Sequence, residues 1–115
     1  MTAALPLVSP SGSVRVHQVG NGLVVRLSGV LDGQAVPELR RELLAPVAAG
    51  SHEVLVDAGQ VEALDDEALA VLLAGSSWAT GAGGRFAFSA ASPAVLAEID
   101  ALQLGTALPL LAATI

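Results

Sequence analysis

Apolar and polar residues alternate from Val14 to Val19, and a second β-rich run extends from Leu23 to Ser28. Gly20-Asn21-Gly22 between them supplies turn residues, so the two runs predict an antiparallel hairpin. Gly29 to Gly33 reads as a loop. The period then changes. Val36, Leu39, Leu43 and Val47 recur at helical spacing while Glu38, Arg41 and Glu42 lie elsewhere, which predicts a helix over 35–47. Pro46, with no N–H to donate, should end or distort its last turn. A third strand is expected over 53–57, then a loop, and a second helix over 66–80. Gly81 to Gly84 reads as a helix-ending loop and Arg85 to Ser89 as a fourth strand. Ser92 is a good N-cap with Pro93 in the first helical position, and this last helix should reach about Leu102.

The order is β-β-α-β-α-β-α. Strand–helix–strand passages are right-handed crossovers, so strands two, three and four should be parallel and the hairpin should add an antiparallel edge. The expected fold class is α/β: a single domain with a mixed, mostly parallel four-stranded sheet and helices packed on it. Residues 13–115 form that domain. Residues 1–12 read as an N-terminal tail, in which Leu5 to Val8 could add an edge strand. Crevices in open α/β sheets lie at the carboxyl ends of the strands, where Gly29–Gly33 and the segment after Asp57 should meet.

At 115 residues, with 53% hydrophobic and 3% aromatic side chains, the core must be built from Val, Leu and Ala. There is no cysteine, hence no disulfide, thiolate metal site or cysteine nucleophile. The N-terminus has no basic residue ahead of its apolar part and no run approaches a membrane span, so a cytoplasmic protein without membrane insertion is expected. The net charge is −6 and every cation is an arginine. Arg15, Arg26, Arg40, Arg41 and Arg85 are scattered, which argues against nucleic acid as a partner. His17 and His52 have no spacing that suggests a metal site or a triad, and Gly81–Gly84 leads into a strand rather than a phosphate-binding helix start. No enzyme activity, metal or cofactor is expected.

Four blocks resemble the STAS domain family, named for sulfate transporters and anti-sigma factor antagonists. Val25-Arg26-Leu27-Ser28-Gly29-Val30-Leu31-Asp32 is similar to its strand ending in G-x-x-D, and Val54-Leu55-Val56-Asp57 to its third strand. Leu64-Asp65-Asp66-Glu67-Ala68-Leu69 falls where the antagonists carry a D-S-S-G-L loop. Ser92-Pro93-Ala94-Val95, followed by Ile99, is similar to its S-P-A-V helix start. The resemblance runs from about Val14 to Leu110. It implies a STAS-like fold, usually with a further C-terminal helix, and a loop end that docks a partner protein.

In the antagonists the second serine of D-S-S-G is phosphorylated by the partner kinase. Glu67 occupies the equivalent position here, Asp66 the preceding one, and from His52 to Gly75 there is no Ser or Thr. The resemblance therefore implies a loop that the usual kinase cannot modify. Phosphorylation of a D-S-S loop takes it from about −1 to roughly −2.5 or −3. Asp65, Asp66 and Glu67 carry about −3 without modification. The alternative is that three acids in the first turn simply suit the free N–H groups and dipole of a helix start. Asp32 has the same two readings, partner contact or helix cap, and Asp57 reads as a tie for the loop after it.

On a helical wheel the second helix places Leu69, Leu72, Leu73 and Ser76 toward the sheet and Val71, Ala74, Gly75 and Trp78 on the other side. Such a helix is either sandwiched or presents a contact surface. The residues expected to bind a partner are Asp32, Asp65, Asp66, Glu67, Leu69, Val71 and Trp78, with a homodimer as one use of Trp78.

The resemblance implies a protein–protein interaction module of the anti-sigma factor antagonist type, working by partner switching in the control of bacterial transcription. The partner would be an anti-sigma factor, often a kinase of the histidine-kinase ATPase fold. The alternative is a STAS subunit bracing an ATPase of a lipid or anion transport complex.

Overall fold

A computed structural model describes residues 12–20, 22–105 and 108–110. The hairpin forms as its alternation requires: β1 (Ser13–Val19) pairs antiparallel with β2 (Gly22–Leu31), and Val19 faces Gly22 across the turn. Gly20 sits at φ +62°, the left-handed conformation such a turn demands and glycine supplies without strain. The sheet order is β1-β2-β3-β4, with β2, β3 (Glu53–Leu64) and β4 (Arg85–Ala91) mutually parallel, as the crossovers dictate. The expected edge strand at Leu5 to Val8 lies outside the described residues. So does most of the C-terminal segment, of which Leu110 bridges to Phe88 in parallel at the free edge of β4.

Two expected loops are strand. β2 continues through Gly29 and Val30 to Leu31, and β3 runs on from Asp57 to Leu64, so that Gly29 faces Val61 and Leu31 faces Leu64. The pairing slips between Arg26 and Ser28 and again between Gly29 and Val30. Each bulge breaks the period-2 alternation by which a strand is read.

Helix α1 has three consecutive segments: α-helical Val36–Leu39, π-helical Arg40–Leu44 and α-helical Ala45–Ala48. The widened turns stand immediately before Pro46, which cannot return an N–H to the carbonyl of Glu42. Helix α2 spans Asp66–Gly81 and α3 spans Pro93–Ala101, capped by the Ser92 hydroxyl, which accepts from the Val95 amide at 3.3 Å.

The core is one cluster between the helices and a single face of the sheet. Leu23, Val25 and Leu27 of β2, Val54 and Val56 of β3 and Phe86 and Phe88 of β4 meet Leu39 and Leu43 of α1, Leu72 of α2 and Val95 of α3. The two rings of β4 pack edge to face at 6.1 Å. The alternate side chains, Arg15, His17, Val24 and Arg26 among them, look out from the opposite face and are exposed. Two surface ion pairs cross that face, Arg85–Glu53 at 2.9 Å and Arg26–Asp57 at 3.6 Å. Exposed pairs of this kind contribute about 0–1 kcal/mol.

Candidate functional site

The carboxyl ends of β2 and β3 deliver two acidic segments to one rim. Leu31 is the last residue of β2, and its carbonyl accepts from the Asp65 amide at 3.0 Å. That bond joins the turn at Asp32 to the start of α2. Asp65 is the N-cap of α2: its backbone is extended, and its Oδ1 accepts from the Ala68 amide at 3.0 Å. A capping carboxylate there satisfies one free N–H and sits at the positive end of the helix dipole. Asp65 is thereby half-buried and fixed, whereas Asp66 and Glu67 in the first turn are exposed.

Asp32 does not cap α1. The N-cap of that helix is Ala35, which makes no side-chain bond. The Asp32 carboxylate instead accepts from the Gln34 amide at 3.0 Å and closes the turn that carries Gly33 past α2. The close approach there is specific: a Cβ built on Gly33 would stand 2.5 Å from Oε1 of Glu67. Asp32, Gly33, Asp65, Asp66 and Glu67 thus form one continuous acidic rim across the end of the sheet. Asp57, one strand-bulge back, ties its own backbone, its Oδ1 accepting from Gly59 at 3.0 Å.

The remaining expected contact residues are not on this rim. Leu69 and Val71 are core, 3% and 2% exposed, and present no surface to a partner. The wheel assigned Val71 and Gly75 to an outer side, but α1 covers that side. Gly75 is buried where a Cβ would come within 3.2 Å of Leu43 and 3.3 Å of Phe86, so α2 is sandwiched between α1 and the sheet. A glycine inside a helix, next to residues of helical period, was the signal for this close approach. Trp78 alone stays outside, 49% exposed. At 1.5 Å per residue it lies about 18 Å along α2 from Asp66, at the opposite end of the helix from the rim acids.

The chemistry of the rim is electrostatic. Among the described residues no three of His, Asp and Glu are placed to hold a metal ion. His17 lies exposed on β1, and His52 is half-buried at the other end of the sheet. The glycine-rich segment after α2 closes that helix, with Gly83 at φ +87° and the Gly84 amide returning to the Ala79 carbonyl at 2.8 Å. No helix among the described residues is long and apolar enough to cross a membrane.

Solved structures share this architecture. An anti-sigma factor antagonist from Mycobacterium paratuberculosis is similar with a TM-score of 0.73 at 27% identity, over 90% of this chain and 89% of that one. The anti-sigma factor antagonist SpoIIAA in its unphosphorylated form superposes with a TM-score of 0.73 at 20% identity, over 84% and 85% of the two chains, a likeness of fold. Among curated proteins no sequence matches. The sequence pattern of the family described as Mlab, STAS domain, matches residues 14–112, and the chain belongs to that family.

Proposed function

We propose that this protein is an interaction module of the anti-sigma factor antagonist type, a binding protein rather than an enzyme, which meets an anti-sigma factor through its acidic rim. The observation that carries this reading is the junction of Leu31 and Asp65. It holds Asp32, Asp65, Asp66 and Glu67 on one surface, at the sheet end where the family docks partners. The likeness to the mycobacterial antagonist supports it.

The module works without the usual covalent switch. With no hydroxyl between His52 and Gly75, the charge that phosphorylation would add is supplied by Asp66 and Glu67. The rim therefore has the electrostatics of a modified, released antagonist, and it meets a kinase-type partner weakly at low salt. A second reading, a constitutive subunit bracing a transport ATPase, is favoured by the same loop, since such a subunit has no use for phosphorylation.

Co-purification with the tagged chain from its native host separates the two. The first reading expects an anti-sigma factor among the captured proteins, identified by mass spectrometry, and an ATPase with transporter subunits would replace it by the second. Incubation with the captured kinase and ATP should leave residues 52–75 unmodified. Phosphate anywhere in that segment would overturn the alignment of Glu67 with the family's serine.

A further inference from the structure

We propose that the outer face of the β1–β2 hairpin binds a small phosphate-class oxyanion between Arg15 and Arg26. The two arginines stand directly opposite one another in the antiparallel register. Side chains so paired share a face with Cβ atoms about 4.5–5.5 Å apart, and like charges there repel. Arg26 is partly compensated by Asp57 at 3.6 Å, whereas Arg15 has no ion pair among the described residues.

The hairpin surrounds this pair with further donors. On the same face Ser13 stands opposite Ser28 on one side of it, and His17 opposite Val24 on the other. From Ser13 to Leu31 there is no acid at all, in a chain that carries eleven. Arg15, His17, Val24 and Arg26 line a recess of about 170 Å³ in which Val24 is the single apolar residue.

Size and charge select the occupant. Pockets for drug-sized ligands enclose roughly 300–1,000 Å³, so this recess holds an ion or a single functional group. Each guanidinium is a planar fork that takes two oxygens at once. A carboxylate has two oxygens and fills one fork, whereas a phosphate or sulfate has enough to fill both. The acidic rim does not forbid an anion here. Asp32 lies about 20 Å beyond Arg26 at the rise of a strand, well outside the ~8 Å screening length at physiological salt. The local competitor is Asp57, whose Oδ2 faces Arg26 while its Oδ1 accepts from Gly59.

That competition separates a site from a general attraction between charges. Inorganic phosphate should be titrated into isotope-labelled protein to about 50 mM, with sodium chloride holding the ionic strength constant, while NMR follows the backbone amides and the arginine Nε–H groups. Saturable shifts are expected on β1 and β2 around Arg15 and Arg26. Arg15→Gln, at an exposed position, should weaken binding about tenfold, as loss of a charged hydrogen-bond donor does. Asp57→Asn keeps an oxygen for Gly59 but releases Arg26, and should tighten binding several-fold. Glu53→Gln removes the same charge beside Arg85 and should leave this site unchanged. Sulfate should compete with phosphate, and acetate should bind more weakly. Glycerol 3-phosphate distinguishes the sources: equal affinity assigns the free ion, tighter binding a phosphate carried on an organic molecule. Shifts that stay linear in phosphate overturn the inference, as do equal responses to Asp57→Asn and Glu53→Gln. Acetate bound as tightly as phosphate overturns the ligand class.

Discussion

The two ends of α2 are built on opposite principles. The first turn carries Asp65, Asp66 and Glu67 over a neighbouring Asp32. The last turn carries an exposed indole and no charge. At the acidic end one side chain accepts a backbone hydrogen bond while its two neighbours are exposed. At the tryptophan end the main chain itself is closely packed, with Gly84 against the His52 carbonyl. One helix therefore joins an acidic end, where exposed side chains approach one another, to an end with no charge of its own, where main chain meets main chain.

Glycine substitutions at the two poles test that contrast most severely. A Cβ at Gly84 would run into the main-chain carbonyl of His52, which already accepts from Arg85 at 2.8 Å. Gly84→Ala should cost about 2–3 kcal/mol by forcing β4 away from the start of β3. Denaturant melts read that loss, and an unchanged midpoint would show the tryptophan pole to be as yielding as the other.

Charge at the acidic pole ranks next. Asp66→Ser combined with Glu67→Ser should raise affinity for an anti-sigma partner by roughly 1–2 kcal/mol at low salt, taking about 1 kcal/mol for each like-charge contact in water. Added salt should strengthen binding by the native protein and barely affect the double variant. Titration calorimetry at two salt concentrations gives the sign. Weaker binding by the double variant, with salt also weakening the native complex, would mean a partner with matching arginines.

Asp65 should behave as structure, unlike its two neighbours. Asp65→Ala removes the cap on Ala68 and should destabilise by about 1 kcal/mol, while Asp65→Asn retains most of the stability. Equal losses for Asp65→Ala and Asp66→Ala in thermal melts would erase the distinction between a fixed acid and free ones.

The smallest effect is expected at Gly33. Its built Cβ meets the far end of the Glu67 side chain rather than backbone. Gly33→Ala should therefore cost less than about 0.5 kcal/mol, as the carboxylate swings aside. Its contrast with Gly84→Ala is the sharpest single check on the two-pole description, and comparable losses would remove it.

The parts of this fold that could be read directly from the chain are those where one physical signal acts alone. The hairpin turn, the Ser92-Pro93 helix start and the 3.6-residue period of α1 each match the structure to within a residue or two. The C-terminal half of β3 was hidden because Gln60, Val61, Ala63 and Leu64 pair with β2 through two register slips, leaving a pattern that resembles neither strand nor helix. The acids of the rim were legible because three adjacent carboxylates at a helix start are a local pattern. Their junction with Asp32 depends on the bond between the Asp65 amide and Leu31, which joins residues far apart in sequence. Val71 and Gly75 were misplaced for a related reason. A helical wheel separates the two sides of a helix, yet it cannot say that α1 will lie on the second one.

The acids at the head of α2 also set a timescale. A phosphate on a serine is added and removed by enzymes while the protein persists, so a loop that uses one can be reset many times in the life of a molecule. Carboxylates held in the first turn of a folded helix change only when the molecule is replaced. On the proposed reading the rim has no covalent reset of its own, and a response carried by its charge alone would follow synthesis and turnover of the chain.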